Sequence, residues 1–399
     1  MTNSMKQTIS IVIPCRDDDC LMFRQTLDAI VCQILGPEEL IIIDSSTDNA
    51  IENTCYEHGL NNIISYQKIS PAFAGLSTNV GIKSAKGNLI ALLDTKTLPA
   101  PDWLETYRNF LYQNGVDVIF GSTTFSYETN FQRAVRAASY GSIAHETVPG
   151  SLFYKEVGIR IPFKENLRAA YDLDWKIRLR DEFKTFTPMS SFISYSQFPS
   201  SIFSLVKKYF IYSFYTGMTV AQKSLKDIYF SIALVVTALI IPNWNLMLPG
   251  WDQNPLYIPD VTKKYFLALT IFLLLVSLTS LIFKQELKSS LWYKTLKFII
   301  YIFLFYSVYK WNAEIAFWVE DAVLYVPHIT KIFLITILSL SICYRGIIKP
   351  IQKQEDLSYL LPFQWLAVGL IGLIMDIAKA PGLIFGSIRG RLSQLDLRK

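Results

Sequence analysis

Through the first 120 residues, short apolar runs alternate with stretches of helical spacing, and few folds accept that pattern. The segments "TISIVIP", "ELIIID", "NIISYQ", "NLIALLD" and "VDVIFG" read as strands. Between them, "CLMFRQTLDAIVCQI", "DNAIENTCYEHG", "LSTNVGIKSAKG" and "PDWLETYRNFLYQNG" read as helices, the first with apolar residues at Leu21, Phe23, Leu27, Ile30 and Val31. Strands that are apolar on both faces, each followed by a helix, predict an α/β fold: a mostly parallel sheet with helices on both faces. Ligands in such sheets bind beyond the carboxyl ends of the strands. The residues there are Pro14 to Asp17, Asp44 to Asp48 and Asp94 to Thr97, and each group carries an acid. No G-x-G-x-x-G opens the first helix, which argues against a dinucleotide fold of that type.

Residues 121–200 are less regular. One helix is predicted there, Tyr171 to Phe183, with Leu173, Ile177 and Leu179 or Arg180 on its packed side. Asp172 and Lys176, and Asp174 and Arg178, stand four apart. By spacing alone these are ordinary ion pairs on a solvated helix.

Beyond residue 200 the composition changes. "IYFSIALVVTALII" and "YFLALTIFLLLVSLTSLIF" are long apolar runs, the second long enough for a hydrocarbon core of roughly 30 Å. The chain is expected to be a soluble head, residues 1–200, on a membrane-bound tail. Residues 201–227, aromatic with Lys207 and Lys208, are expected to form an interfacial helix and linker. Residues 228–350 should hold about four spans, at 228–241, 265–283, 298–309 and 331–343. The loop "PNWNLMLPGWDQNPLYIPDV" has no Lys or Arg and should face outward, while the lysine-rich "KQELKSSLWYKTLK" should be cytoplasmic. Residues 351–399, apolar but interrupted by Asp376, Lys379 and Pro381, are expected to form a re-entrant or interfacial hairpin rather than a fifth span. The net charge of +5 is modest, and its clustering beside apolar segments suits anionic lipid headgroups better than nucleic acid. The beginning "MTNSMKQTIS" lacks a charged-then-apolar signal, so the head is expected in the cytoplasm, with the chain integral to an inner or plasma membrane. Five cysteines without zinc spacing read as reduced, buried thiols.

The stretch "LLDTKTLPAPDWLE" is the most informative chemically. An apolar strand ends on Asp94, a usual place for a ligand-binding carboxylate, but the second acid that a metal site would add is Lys96.

Taken together, these segments resemble the family-2 inverting glycosyltransferases with the GT-A fold, over residues 8–200, half the chain. The resemblance rests on five pieces in order: "SIVIPCRDD"; "IIIDSSTDN"; "GLSTNVGIKSAKGN" with Gly75, Asn79 and Gly81; the Asp94 turn followed by "PAPDWLE"; and Asp172 on a helix before Arg178. Thr78 stands where the family often has an arginine, and Tyr171 where it has a glutamate before the catalytic acid. The resemblance implies a nucleotide-sugar donor bound by Pro14, Arg16, Asp44, Asn79, Asp94 and Arg168, with Asp44 accepting a hydrogen bond from a uracil-like ring. Asp172 would be the general base. Arg168 would hold diphosphate or pair with Asp172. Asp94 would hold a divalent cation, Mg2+ or Mn2+, a cofactor put in doubt by Lys96, which would itself stabilise the diphosphate. The family's Gln-x-x-Arg-Trp motif of processive synthesis is not found after Asp172, which favours transfer of a single sugar.

These residue types match the chemistry. The departing nucleoside diphosphate needs a neutralising cation. An acceptor hydroxyl needs a carboxylate to take its proton, on a segment apart from the diphosphate pocket. The function expected is a membrane-anchored transferase acting on a lipid-linked, polyprenyl-type saccharide at the cytoplasmic leaflet, in cell-surface glycan synthesis. A bare polyprenyl phosphate is the alternative acceptor. A degenerate transferase serving as a membrane scaffold is the alternative function, suggested by Thr78, Lys96 and Tyr171.

Overall fold

The computed structural model describes residues 8–60, 62–219, 241, 244–261 and 341–396, with isolated positions between 264 and 339. It divides into two compact units, one of residues 1–229 with 342–399 and one of residues 230–341.

The first unit is built on the predicted alternation. Its elements run β1 (Ile9–Cys15), α1 (Cys20–Val31), β2 (Glu39–Asp44), α2 (Ala50–Glu57), β3 (Ile64–Lys68), α3 (Ala74–Ser84), β4 (Leu89–Leu92), β5 (Thr97–Pro99), α4 (Trp103–Asn114) and β6 (Val118–Phe125). There follow α5 (Asn130–Ser139), β7 (His145–Tyr154), α6 (Lys155–Arg160), α7 (Tyr171–Glu182), β8 (Thr185–Phe186), β9 (Ile193–Tyr195) and α8 (Ile202–Gly217). The strands form one sheet in the order β3-β2-β1-β4-β7-β6-β9-β5, with β8 beside β6. From β3 to β4 the pairing is parallel. The long strand β7 then enters antiparallel between β4 and β6. It lies in the region that looked least regular in sequence.

Side chains of a strand alternate between faces, so an all-apolar strand must be covered twice. On β1, Ile9, Ile11 and Ile13 pack with Phe23, Leu27 and Ile30 of α1 and with Trp103 and Tyr107 of α4. Val12 faces the other layer, with Ile82 of α3 and Trp175 and Leu179 of α7. Helix α1 buries Phe23, Leu27 and Ile30 as its spacing predicts, but Leu21 and Val31 are exposed. Gly115 ends α4 in the left-handed conformation that glycine adopts without steric cost.

Helix α7 forms where expected, but its packed side differs. Asp174, Trp175 and Leu179 are buried, while Leu173 and Ile177 are only half-buried. Trp175 is the reason: it stacks on Phe163 at 4.3 Å between ring centroids and donates its indole N–H to the Ile161 carbonyl at 2.7 Å. That anchor turns the helix and draws in Asp174, neutralised by Lys164 at 2.7 Å and Arg178 at 2.8 Å. The Asp174–Arg178 pair is the predicted one. The Asp172–Lys176 pair is absent, because Lys176 is drawn to Glu146 at 3.4 Å.

The C-terminal segment corrects two expectations. In place of a hairpin, Gln364–Asp396 is one continuous helix, α9, with Pro381 inside it. The charges expected to break it are satisfied where they stand: Asp376 receives Arg345 at 2.9 Å and Lys379 at 3.4 Å. The segment also belongs with the first unit rather than with the tail. It packs on α8 and α5, burying Val135, Leu205, Leu360, Val368, Ile371 and Met375 together. Gly386 lies against the Phe214 carbonyl of α8, an approach that any Cβ would block. Among the described residues, Gln364–Gly390 is the one helix long and apolar enough to cross a membrane, and about half of its most apolar window is buried by protein. The predicted span 298–309, most of 265–283, almost all of 228–241 and most of 331–343, and the loop 284–297, lie outside the described residues.

In the second unit a short helix, Trp244–Met247, starts the charge-poor loop. Asn245 clamps the Ile258 backbone through both its amide groups, at 2.7 and 3.1 Å.

Candidate active site

The carboxyl ends of β1, β2 and β4 open onto a cavity of about 550 Å3. Pro14, Arg16, Asp94, Lys96 and Arg168 line it, so five of the predicted site residues meet here. Pro14 closes β1. Arg16 is fixed by donating to the Ala72 carbonyl at 2.9 Å, with its guanidinium over the Phe73 ring.

Two predicted donor contacts take other places. Asp44 is fully buried and does not line the cavity. It accepts from the Ser46 amide at 2.8 Å, the Tyr66 hydroxyl at 2.8 Å and the Lys68 ammonium at 3.1 Å. Burial works to raise its carboxyl, but these donors hold it below the usual carboxylate range. Asn79 is likewise buried and spent. Its amide oxygen accepts from the Phe163 N–H at 2.8 Å, and its NH2 donates to the Phe163 carbonyl at 2.9 Å and to Glu165 at 3.0 Å. Asn79 therefore positions the 163–165 segment that walls the cavity. Gly75 helps, since its Cα rests against the Lys164 carbonyl with no room for a side chain.

Lys96 has a partner that sequence reasoning did not single out. Its ammonium lies 3.0 Å from Asp18, one of three consecutive acids after β1. Burial alone would lower the Lys96 amine, but Asp18 and then Asp94 keep it above its ordinary value, so it is a cation. Asp94 is pushed the other way. Burial raises its carboxyl, Lys96 pulls it down, and Asp18 raises it again, leaving it above the usual range.

That shift has a sign for stability. A native pKa above the unfolded one means that the folded state binds more protons between the two values, so stability falls as pH rises through that window. Ionised Asp94 is thus a cost at neutral pH. Asp94→Asn should raise the melting temperature at pH 7, and the gain should shrink on acidification towards the unfolded value of about 3.9. An unchanged or lower melting temperature across the range would contradict this account.

The donor set does not suit a divalent ion held by protein alone. Three acids, Asp17, Asp18 and Asp94, line the cavity, but Asp17 accepts from the Thr47 amide and hydroxyl, and the Lys96 ammonium occupies Asp18 and has no lone pair to offer. Among the described residues no group of three or more His, Cys, Asp or Glu side chains is placed to hold a metal.

A second cavity, of about 350 Å3, adjoins the first and shares Asp94, Pro149, Arg168 and Tyr171 with it. Asp172 lines this one and not the first. Ala170, left-handed at φ +59°, caps α7 and sets Asp172 in its first turn. A non-glycine residue held there stores strain of the kind found at functional sites. Among the described residues neither Asp172 nor Arg168 forms an ion pair, so Arg168 is not spent on Asp172. Arg168 is exposed and also borders a third cavity, of about 650 Å3, against α8.

The wall of the second cavity was missed in sequence because it comes from four separate elements. Phe125 of β6 stacks on Tyr140, after α5, at 3.9 Å, and Tyr195 of β9 and Tyr212 of α8 complete it. Lys208 belongs here too. It lines the second and third cavities, near the rings of Tyr195 and Tyr212. Burial, then repulsion from Lys96, brings its amine down to about 8. Helix α8 is therefore part of the site wall, and of its two lysines only Lys207 is exposed.

Residues 10–172 match the family described as glycosyl transferase family 2. A curated relative from Haemophilus influenzae, described as an uncharacterized glycosyltransferase, is 31% identical over 124 residues, 29% of this chain. The chain spans about half the length of that relative, the match covering 47% of it. Crystal structures of S. aureus TarS are similar at low scores. One with UDP-GlcNAc gives a TM-score of 0.39 at 12% identity, over 62% of this chain and 77% of that one. Another, of S. aureus TarS, gives 0.38 at 13% identity, over 67% and 52%. The residues that match this family, 10–172, include both the Asp94–Lys96 turn and Asp172.

Proposed function

We propose that the protein transfers a single sugar, with inversion, from a nucleotide-sugar donor to a lipid-linked saccharide at a membrane surface. The observation that carries this reading is the division of the site. A cation, Lys96, lines one cavity, and a carboxylate with no ion pair among the described residues, Asp172, lines the next, with Arg168 and Tyr171 on both. A direct displacement needs that separation, since the base must approach opposite the leaving group. The donor would place its diphosphate by Lys96 and its sugar towards Arg168. The acceptor hydroxyl would come through the aromatic second cavity to Asp172. The apolar helices α8 and α9 beside it support a lipid-linked acceptor. A hydroxyl acceptor also gives Asp172 a task, whereas an ionised phosphate acceptor would need no base.

Purified full-length protein in detergent should bind or slowly hydrolyse at least one member of a panel of nucleotide sugars. Failure with every donor, and no nucleotide binding by calorimetry, would leave the scaffold as the surviving reading. Orientation is tested separately: cysteine labelling from outside the cell should reach positions 243–260 and miss 284–297. The opposite pattern would put the domain where nucleotide sugars are generally absent.

A further inference from the structure

On the far side of Tyr140 and Tyr209 from Asp172 lies a smaller cavity, of about 220 Å3. Four cations line it: Arg345, Lys349, Lys353 and Lys379. One acid, Asp376, stands among them, and it takes Arg345 and Lys379. Among the described residues Lys349 and Lys353 form no ion pair. Lys353 donates to the Ser139 carbonyl, and Lys349 lies 5.6 Å from the centre of the Tyr344 ring. All four side chains are half-buried, so their repulsion is poorly screened by solvent. Burial, then Lys349 and Lys379, holds the Lys353 amine below its ordinary value. A half-buried cavity with a surplus of three positive charges calls for a multivalent anion.

The surroundings narrow the anion. The cluster joins the 344–353 segment to the apolar helix α9, and Ile348, Ile351 and Ile377 beside it are exposed. Tyr140 and Tyr209 form a wall common to this cavity and to the one that holds Asp172. We infer that this cluster binds the phosphate or diphosphate of the lipid-linked acceptor, leaving the lipid along α8 and α9 and the sugar within reach of Asp172. The inference rests on the proposed acceptor class. It adds where the acceptor is gripped and by which charge.

The test uses full-length protein in detergent with excess UDP, which keeps diphosphates out of the donor cavity. Binding of inorganic pyrophosphate and of farnesyl diphosphate is measured by calorimetry. Both should bind, the farnesyl compound more tightly. Lys349→Gln with Lys353→Gln should weaken both by roughly tenfold or more, as expected for loss of two charge-assisted contacts. Lys349→Arg with Lys353→Arg should retain most of the affinity, which mere packing would not explain. If the double glutamine variant does not fold, Lys349→Gln alone carries the same readout. Equal affinity for the two ligands would overturn the lipid assignment and leave a site for free phosphate. Undiminished binding by the glutamine variants would overturn the site. Wild-type protein that binds farnesyl diphosphate but no nucleotide would sink the transferase reading and leave this site standing. The reverse result would sink this site alone.

Discussion

Asp172→Asn should slow sugar transfer about 100-fold or more while donor affinity stays near wild type, the range typical of a lost general base. The asparagine keeps the size and hydrogen bonding of the side chain but cannot take a proton. Donor affinity should survive because Asp172 lines the second cavity and not the one that holds Lys96. The comparison with Asp174, two residues on, makes the test sharp. Asp174 is fully buried between Lys164 and Arg178, so Asp174→Asn leaves two cations short of a partner and should lower stability, by less than the about 3–5 kcal/mol of a fully buried pair because Lys164 and Arg178 keep contact with solvent. One substitution should therefore lower kcat in a protein of normal melting temperature, and the other should lower the melting temperature. Initial rates and thermal unfolding on the two variants separate them. Full transfer activity in Asp172→Asn would remove the residue from the mechanism.

Lys96→Ala should abolish most turnover, and wild-type activity should tolerate chelator better than a two-acid site would. A unit charge pair about 4 Å apart is worth roughly 4 kcal/mol at an effective dielectric near 20. If all of it appeared only as the diphosphate departs, the rate effect would be about a thousandfold. Lys96 is 27% exposed and shares its charge with Asp18, so the measured loss should fall below that ceiling. Asp18 has its own part in the test. It holds the ammonium at the cavity edge before the donor arrives, and Asp18→Asn should release it and tighten nucleoside diphosphate binding. Complete loss of activity in chelator, restored by magnesium or manganese, together with a near-normal Lys96→Ala enzyme, would return the task to a metal.

The strand pattern alone sets the doubly covered sheet, because a strand such as β1, apolar at every position but Ser10, has no other soluble arrangement. It also pointed to the loops after β1, β2 and β4, since the carboxyl ends of parallel strands are where loops converge, and all three contribute residues to the first cavity. The likeness of its short motifs carried Asp172. What it could not determine was how side chains compete for partners. Asp44 and Asn79 look like ligand contacts in a motif, but neighbours that arrive only on folding, Tyr66 and Lys68 for one and the Phe163 backbone for the other, consume their hydrogen bonds. Asp172 and Asp174 look alike in a row of charges. Trp175, by seeking the core, rotates one into an ion-pair cage and leaves the other facing a cavity. The tertiary structure also decided the C-terminal segment. Three interrupting residues imply a break if each is taken alone, but Arg345 and Lys379 close on Asp376, and the helix runs on to pack against α8 beside the site. Local spacing fixes which face a residue can take. Only the packed chain fixes which charges are left over, and those are the ones that can act.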